Sequence, residues 1–174
     1  MAVAFQDRAA AISLPSLWKV IDMTPERDAV STCKVVQALV PAVYAADQAG
    51  DLVDMRDYKS ASLFLHIGVG GITFSGTNKI EFILQAGNAS DGSDLANVVD
   101  DDVINIDAVA PGSITNGIIR ALTAAHASGD VQKVAYIGGK RYLKMTADFS
   151  GTHGVGTPIS AVVELENGEI NRVA

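Results

Sequence analysis

Three histidines, one cysteine and a scatter of aspartates are the side chains from which this chain could build chemistry. His66, His126 and His153 lie far apart, and none has a partner at the short spacing by which a hairpin or helix presents two ligands to one metal. His66 alternates with Ser62 and Phe64, so it reads as a structural histidine on a strand face. His153, within Gly151-Thr152-His153-Gly154, reads as a loop residue facing solvent or a subunit contact. Cys33 is the single cysteine, which excludes an intrachain disulfide and any zinc site of several thiolates. With no base identified beside it, it reads as a small buried apolar residue. Asp91, Asp94, Asp100, Asp101, Asp102 and Asp107 supply oxygens, but not at the spacing of a helix-loop-helix calcium site. A solvated acidic loop is the reading they support.

Other motifs fall short in the same way. The stretch Gly68-Val69-Gly70-Gly71-Ile72-Thr73 has glycine at the first and third places of a dinucleotide fingerprint. Thr73 occupies the sixth place and no helix follows, so no helix N-terminus can hold a pyrophosphate. A metal-binding β barrel needs two histidines on one hairpin, and neither a phosphate-binding Gly-Lys-Ser/Thr nor a Gly-x-Ser-x-Gly elbow occurs. Paired carboxylates could serve glycoside hydrolysis, but a sugar cleft ordinarily adds aromatics, and the chain has one Trp and 6% aromatic residues. The expectation is a protein that is not an enzyme, with no catalytic residue, no metal and no cofactor.

Whatever positions these residues is built from strands. Residues 60–68 place Ala61, Leu63, Leu65 and Ile67 on one face; residues 79–86 do the same with Ile80, Phe82, Leu84 and Ala86. Residues 141–149 turn Leu143, Met145, Ala147 and Phe149 inward and Tyr142, Lys144, Thr146 and Asp148 outward. Ile159, Ala161, Val163 and Leu165 repeat the pattern, and glycine-rich clusters at 68–71, 75–78, 87–94, 138–139 and 151–158 connect the strands. Asn88-Ala89-Ser90 matches a glycosylation sequon and reads as part of such a turn. Residues 114–126 fit a helix through Ile114, Ile118, Leu122 and Ala125, and a strand through Ile118, Arg120 and Leu122; the strand is preferred beside strand neighbours. The fold class is all-β, an antiparallel β-sandwich or jelly roll over residues 30–174. Residues 1–29, carrying Trp18, read as an irregular N-terminal arm that docks on something, and Pro15, Pro25 and Pro41 are expected to break longer elements.

Composition narrows the partners. Thirteen Lys and Arg against 20 Asp and Glu leave a formal charge of −7, which argues against binding nucleic acid or an anionic membrane. No apolar run approaches the ~20 residues that span a bilayer. Yet 48% of residues are hydrophobic and only 19% charged, which suits a protein that buries surface against copies of itself or a larger lattice.

Tyr136-Ile137-Gly138-Gly139-Lys140-Arg141-Tyr142-Leu143-Lys144-Met145 resembles a motif of small tailed-phage virion proteins. In that group a strand and an aspartate-glycine turn precede a Tyr-Ile-Gly-x-Lys-Arg-Tyr strand start, and a glycine-rich turn with a final apolar strand follows. Matching parts are residues 57–68, residues 79–85 with Ser90-Asp91-Gly92, and residues 158–164, so the similarity spans roughly 45–166. The arm has no counterpart. The resemblance implies a capsid decoration, cement or head-spike protein on the outside of the virion capsid, made in the host bacterial cytoplasm. Its partners would be the major capsid protein and itself, as a homo-oligomer with a trimer favoured. Trp18, Tyr136, Lys140, Arg141 and Tyr142 are the expected subunit or capsid contacts. Tail, neck or vertex-spike proteins, and a glycan-binding host-attachment module, are the alternatives.

Overall fold

A computed structural model describes residues 33–104 and 114–166. The arm with Trp18 and the acidic Asp107 lie outside the described residues. Among the described residues eleven strands follow in order: β1 Lys34–Tyr44, β2 Gln48–Ala49, β3 Val53–Asp54, β4 Ser60–Ile67, β5 Lys79–Gly87, β6 Ala96–Asn97, β7 Val103–Ile104, β8 Ile118–Leu122, β9 Asp130–Tyr136, β10 Tyr142–Ser150 and β11 Thr157–Glu166. They form two antiparallel sheets. One runs β1-β11-β4-β9-β7; the other runs β2-β10-β5-β6, with β3 also on β10 and β8 also on β5.

The period-two rows explain why these segments are strands and how the sheets meet. Ala61, Leu63, Leu65 and Ile67 of β4 are buried, and so are Ile80, Phe82, Leu84 and Ala86 of β5. With Leu143, Met145 and Ala147 of β10 and the four inward residues of β11, they form one core between the sheets. A strand with one apolar face must bury it, and two such sheets face to face are the simplest solution. The fold is all-β and sandwich-like, as the alternation indicates.

Four local expectations are corrected. Pro41 does not end its element: β1 continues through it, with register shifts on either side of Leu39. β1 is an edge strand, and a bulge there needs no N–H from proline. In β8 the strand form holds, but its phase changes. Ile119 and Leu122 are buried while Ile118 is only half-buried, because a bulge opposite Phe82 and Ile83 inserts one residue. His153 faces inward at 2% exposure, with its Nε2 2.9 Å from the Ser150 carbonyl and its ring edge-on to Phe149. Cys33, finally, is half-buried where β1 begins, rather than a core residue.

Candidate contact surface at the charged end

Antiparallel connectivity gathers residues 55–59, 88–95, 98–102 and 137–141 at one end of the sandwich. The Tyr136 motif forms the turn from β9 to β10 there. Tyr136 closes its strand in the core at 1% exposure, and its hydroxyl accepts the Lys140 N–H at 3.1 Å. The turn therefore wraps around the phenol. Burial raises the Tyr136 pKa above the usual phenol value, with the Asp102 carboxylate adding to the effect.

Arg141 fixes the turn from the other side. Its Nε and Nη2 donate to Asp54 Oδ1 and Oδ2 at 2.9 and 2.8 Å, a two-pronged pair across 87 residues of sequence. The guanidinium holds the Asp54 carboxyl down at about 2, and the Arg56 N–H on the same carboxylate adds to this. Arg141 also lies over the Tyr142 ring at 4.8 Å. Tyr142 is thereby 6% exposed instead of facing solvent. Beside the pair, the Tyr58 N–H reaches the Met55 carbonyl at 3.0 Å, closing a tight turn with Asp57 at a φ of 71°. Aspartate tolerates that left-handed conformation better than most residues. The two turns border a shallow pocket of about 310 Å³ rimmed by Arg56, Lys59 and Lys140.

Of the five expected contact residues, the structure brings four together, and they differ in what they can offer a neighbour. Tyr136 and Tyr142 are structural, Arg141 is held by Asp54, and Lys140 stands exposed. Trp18 lies outside the described residues. Sequence reading missed Asp54, Arg56 and Lys59, since no local pattern joins residues 53–59 to residue 141.

The acidic residues nearby build loops. Asp94 accepts the N–H groups of Asn88 and Ala89, and Asp91 accepts that of Ser93; these bonds keep both carboxyls below the usual range. Among the described residues no three histidine, cysteine or carboxylate side chains are grouped to hold a metal ion. No protein-family model, curated protein or solved structure matches the chain.

Proposed function

We propose that this chain is a virion protein of a tailed phage, without enzymatic activity, that binds the outside of the capsid and stabilises the major-capsid lattice. The motif at residues 136–145 suggests it, and the strand order agrees. Counting β2 and β3 as one, and leaving aside the two-residue β6 and β7, eight strands remain. They pair first with last, second with seventh, third with sixth and fourth with fifth. This nested pairing supports reading the sandwich as a jelly roll, a fold used by viral capsid domains and by lectins.

The observation that carries the proposal is apolar surface at a sheet edge. Among the described residues β1 is an edge strand, and its Val35, Val40 and Val43 are each more than half exposed. An edge of this kind invites association unless a neighbour covers it. On an expanded shell such contacts would oppose rupture by packaged DNA, and many copies would make individually modest contacts strong. A glycan-binding module would need grouped exposed aromatics, which the buried Tyr136 and Tyr142 do not supply.

The test is the number of copies per virion, measured by quantitative mass spectrometry against the major capsid protein. A decoration protein is expected at a ratio near one to one or one to three. A few copies to a dozen would move it to a vertex, neck or tail ring, and absence from purified virions would overturn the reading.

A further inference from the structure

Nine Lys and Arg lie among the described residues, and four of them line the pocket of about 310 Å³ between the two turns of the charged end: Arg56, Lys59, Lys140 and Arg141. Carboxylates share the neighbourhood and decide what each cation has left to offer. Asp54 takes both prongs of Arg141 and lies 3.6 Å from Arg56 Nη2. Asp57 lines the pocket itself. Asp94, kept low by the Ala89 and Asn88 N–H groups that it accepts, also feels Lys140. Asp102 stands against Gly138 and accepts the Val99 N–H. Lys59 and Lys140 are both exposed and make no ion pair among the described residues. They are the cations with capacity to spare.

The backbone that carries these two lysines is fixed in advance. The Met55 N–H donates to the Arg141 carbonyl at 2.8 Å and so ties the two turns together. The Lys59 N–H donates to the Glu166 carbonyl at 3.2 Å, and the Lys140 N–H to the Tyr136 hydroxyl at 3.1 Å. Gly138 and Gly139 complete the lining, and among the described residues nothing accepts their N–H groups. A Cβ on Gly139 would meet nothing within 4 Å, so a ligand atom has room there. Two unpaired ammonium groups and two unused backbone donors on braced turns are the donor set by which proteins hold an oxyanion. Bracing also lowers the entropic cost of binding, which then falls mainly on the lysine side chains.

We infer that this pocket is a receptor for a carboxylate carried by a protein partner, an Asp or Glu side chain of an acidic segment. Lys59 and Lys140 are its direct contacts, Arg56 is a further cation at the rim, and Arg141 positions the turn through Asp54. The surrounding carboxylates choose among oxyanions. A phosphate dianion brings two negative charges up to Asp57, Asp94 and Asp102, whereas a carboxylate brings one. With a net charge of −7 the chain does not draw acidic partners from a distance, so the site sets the register of a contact rather than its rate. The inference goes beyond the capsid reading and does not depend on it, because the pocket takes a carboxylate whichever partner presents it.

Amide NMR spectra of the full chain test it, titrated with sodium acetate and, at matched ionic strength, with sodium chloride. The Gly138, Gly139 and Lys140 amide signals are expected to shift saturably with acetate, and only weakly and without saturation with chloride. Lys59→Met with Lys140→Met should weaken acetate binding at least about tenfold. Lys144→Met, on β10 away from the turns, should leave it unchanged. Should the double variant not fold, Lys140→Met alone must still weaken binding. Shifts that never saturate with acetate, full binding by the lysine variants, or an equal loss in Lys144→Met would each overturn the site. Inorganic phosphate is the second probe: binding tighter than that of acetate would overturn the choice of a carboxylate. Copy number in virions fails or succeeds separately: a chain abundant in virions that ignores acetate sinks only the pocket, and a chain that binds acetate yet is absent from virions sinks only the capsid role.

Discussion

Gly138 and Gly139 are neighbours in the motif turn, but their surroundings separate them. A Cβ on Gly138 would stand 2.5 Å from the Tyr136 hydroxyl and 2.6 Å from an Asp102 oxygen, whereas one on Gly139 meets nothing within 4 Å. Gly138→Ala must displace a buried ring or the turn, and is expected to cost about 1–3 kcal/mol; Gly139→Ala should change stability by no more than ~0.5 kcal/mol. Urea denaturation of the two variants checks this, and equal effects would refute the packing argument. Asp54 gives a pH prediction at the same scale. Its folded pKa lies below the ordinary carboxylate value, so its pair with Arg141 stabilises fully above about pH 4 and is lost as pH falls towards 2. Both side chains are more than a third exposed, so solvent screens the pair. Asp54→Asn is therefore expected to lower Tm by no more than about 3 °C at pH 7. The difference from wild type should vanish near pH 2, whereas one that persists there would mean the carboxylate acts through something other than its charge.

At the scale of the element, the strands whose alternation runs unbroken were legible in the residues, and those with bulges were not. β4, β5 and β11 keep strict parity and bury the expected rows. β8 has an extra residue, and parity alone would turn Ile118 inward where Ile119 takes the core. What supports the bulge lies in the other sheet: Gln132 of β9, a buried polar residue, donates from Nε2 to the Ile119 carbonyl at 2.8 Å. The sequence signal was a glutamine in phase with Val134 and Tyr136, but its partner could not be read without the fold. Ile119→Ala is expected to cost about 2–4 kcal/mol and Ile118→Ala clearly less, measured by chemical denaturation. The opposite order would restore the unbulged phase. The charged-end site was half legible for a similar reason. Residues 136–142 announced themselves as a motif, while Asp54, Arg56 and Lys59 join them only because β3 pairs with β10.

For the whole molecule, the nested pairing sets how the chain must fold. β1 and β11, the first and last described strands, lie side by side, with Lys34 opposite Leu165. β11 also pairs with the whole of β4, from Ile159 opposite Ile67 to Glu166 opposite Ser60, and supplies Ile159, Ala161, Val163 and Leu165 to the core. Contacts this distant in sequence require loop closure before burial compensates it, so refolding should take milliseconds to seconds rather than microseconds. Losing β11 removes a central strand, exposes β1 and β4 together, and takes four fully inward side chains from one core. A chain ending at residue 156 is therefore expected to show no cooperative thermal transition, although it keeps nine-tenths of the described residues. Circular dichroism during heating decides the matter. A sharp transition in the truncated chain would mean that the second sheet and β4 form a domain of their own, and that β1 and β11 are an attachment to it rather than the closure of the fold.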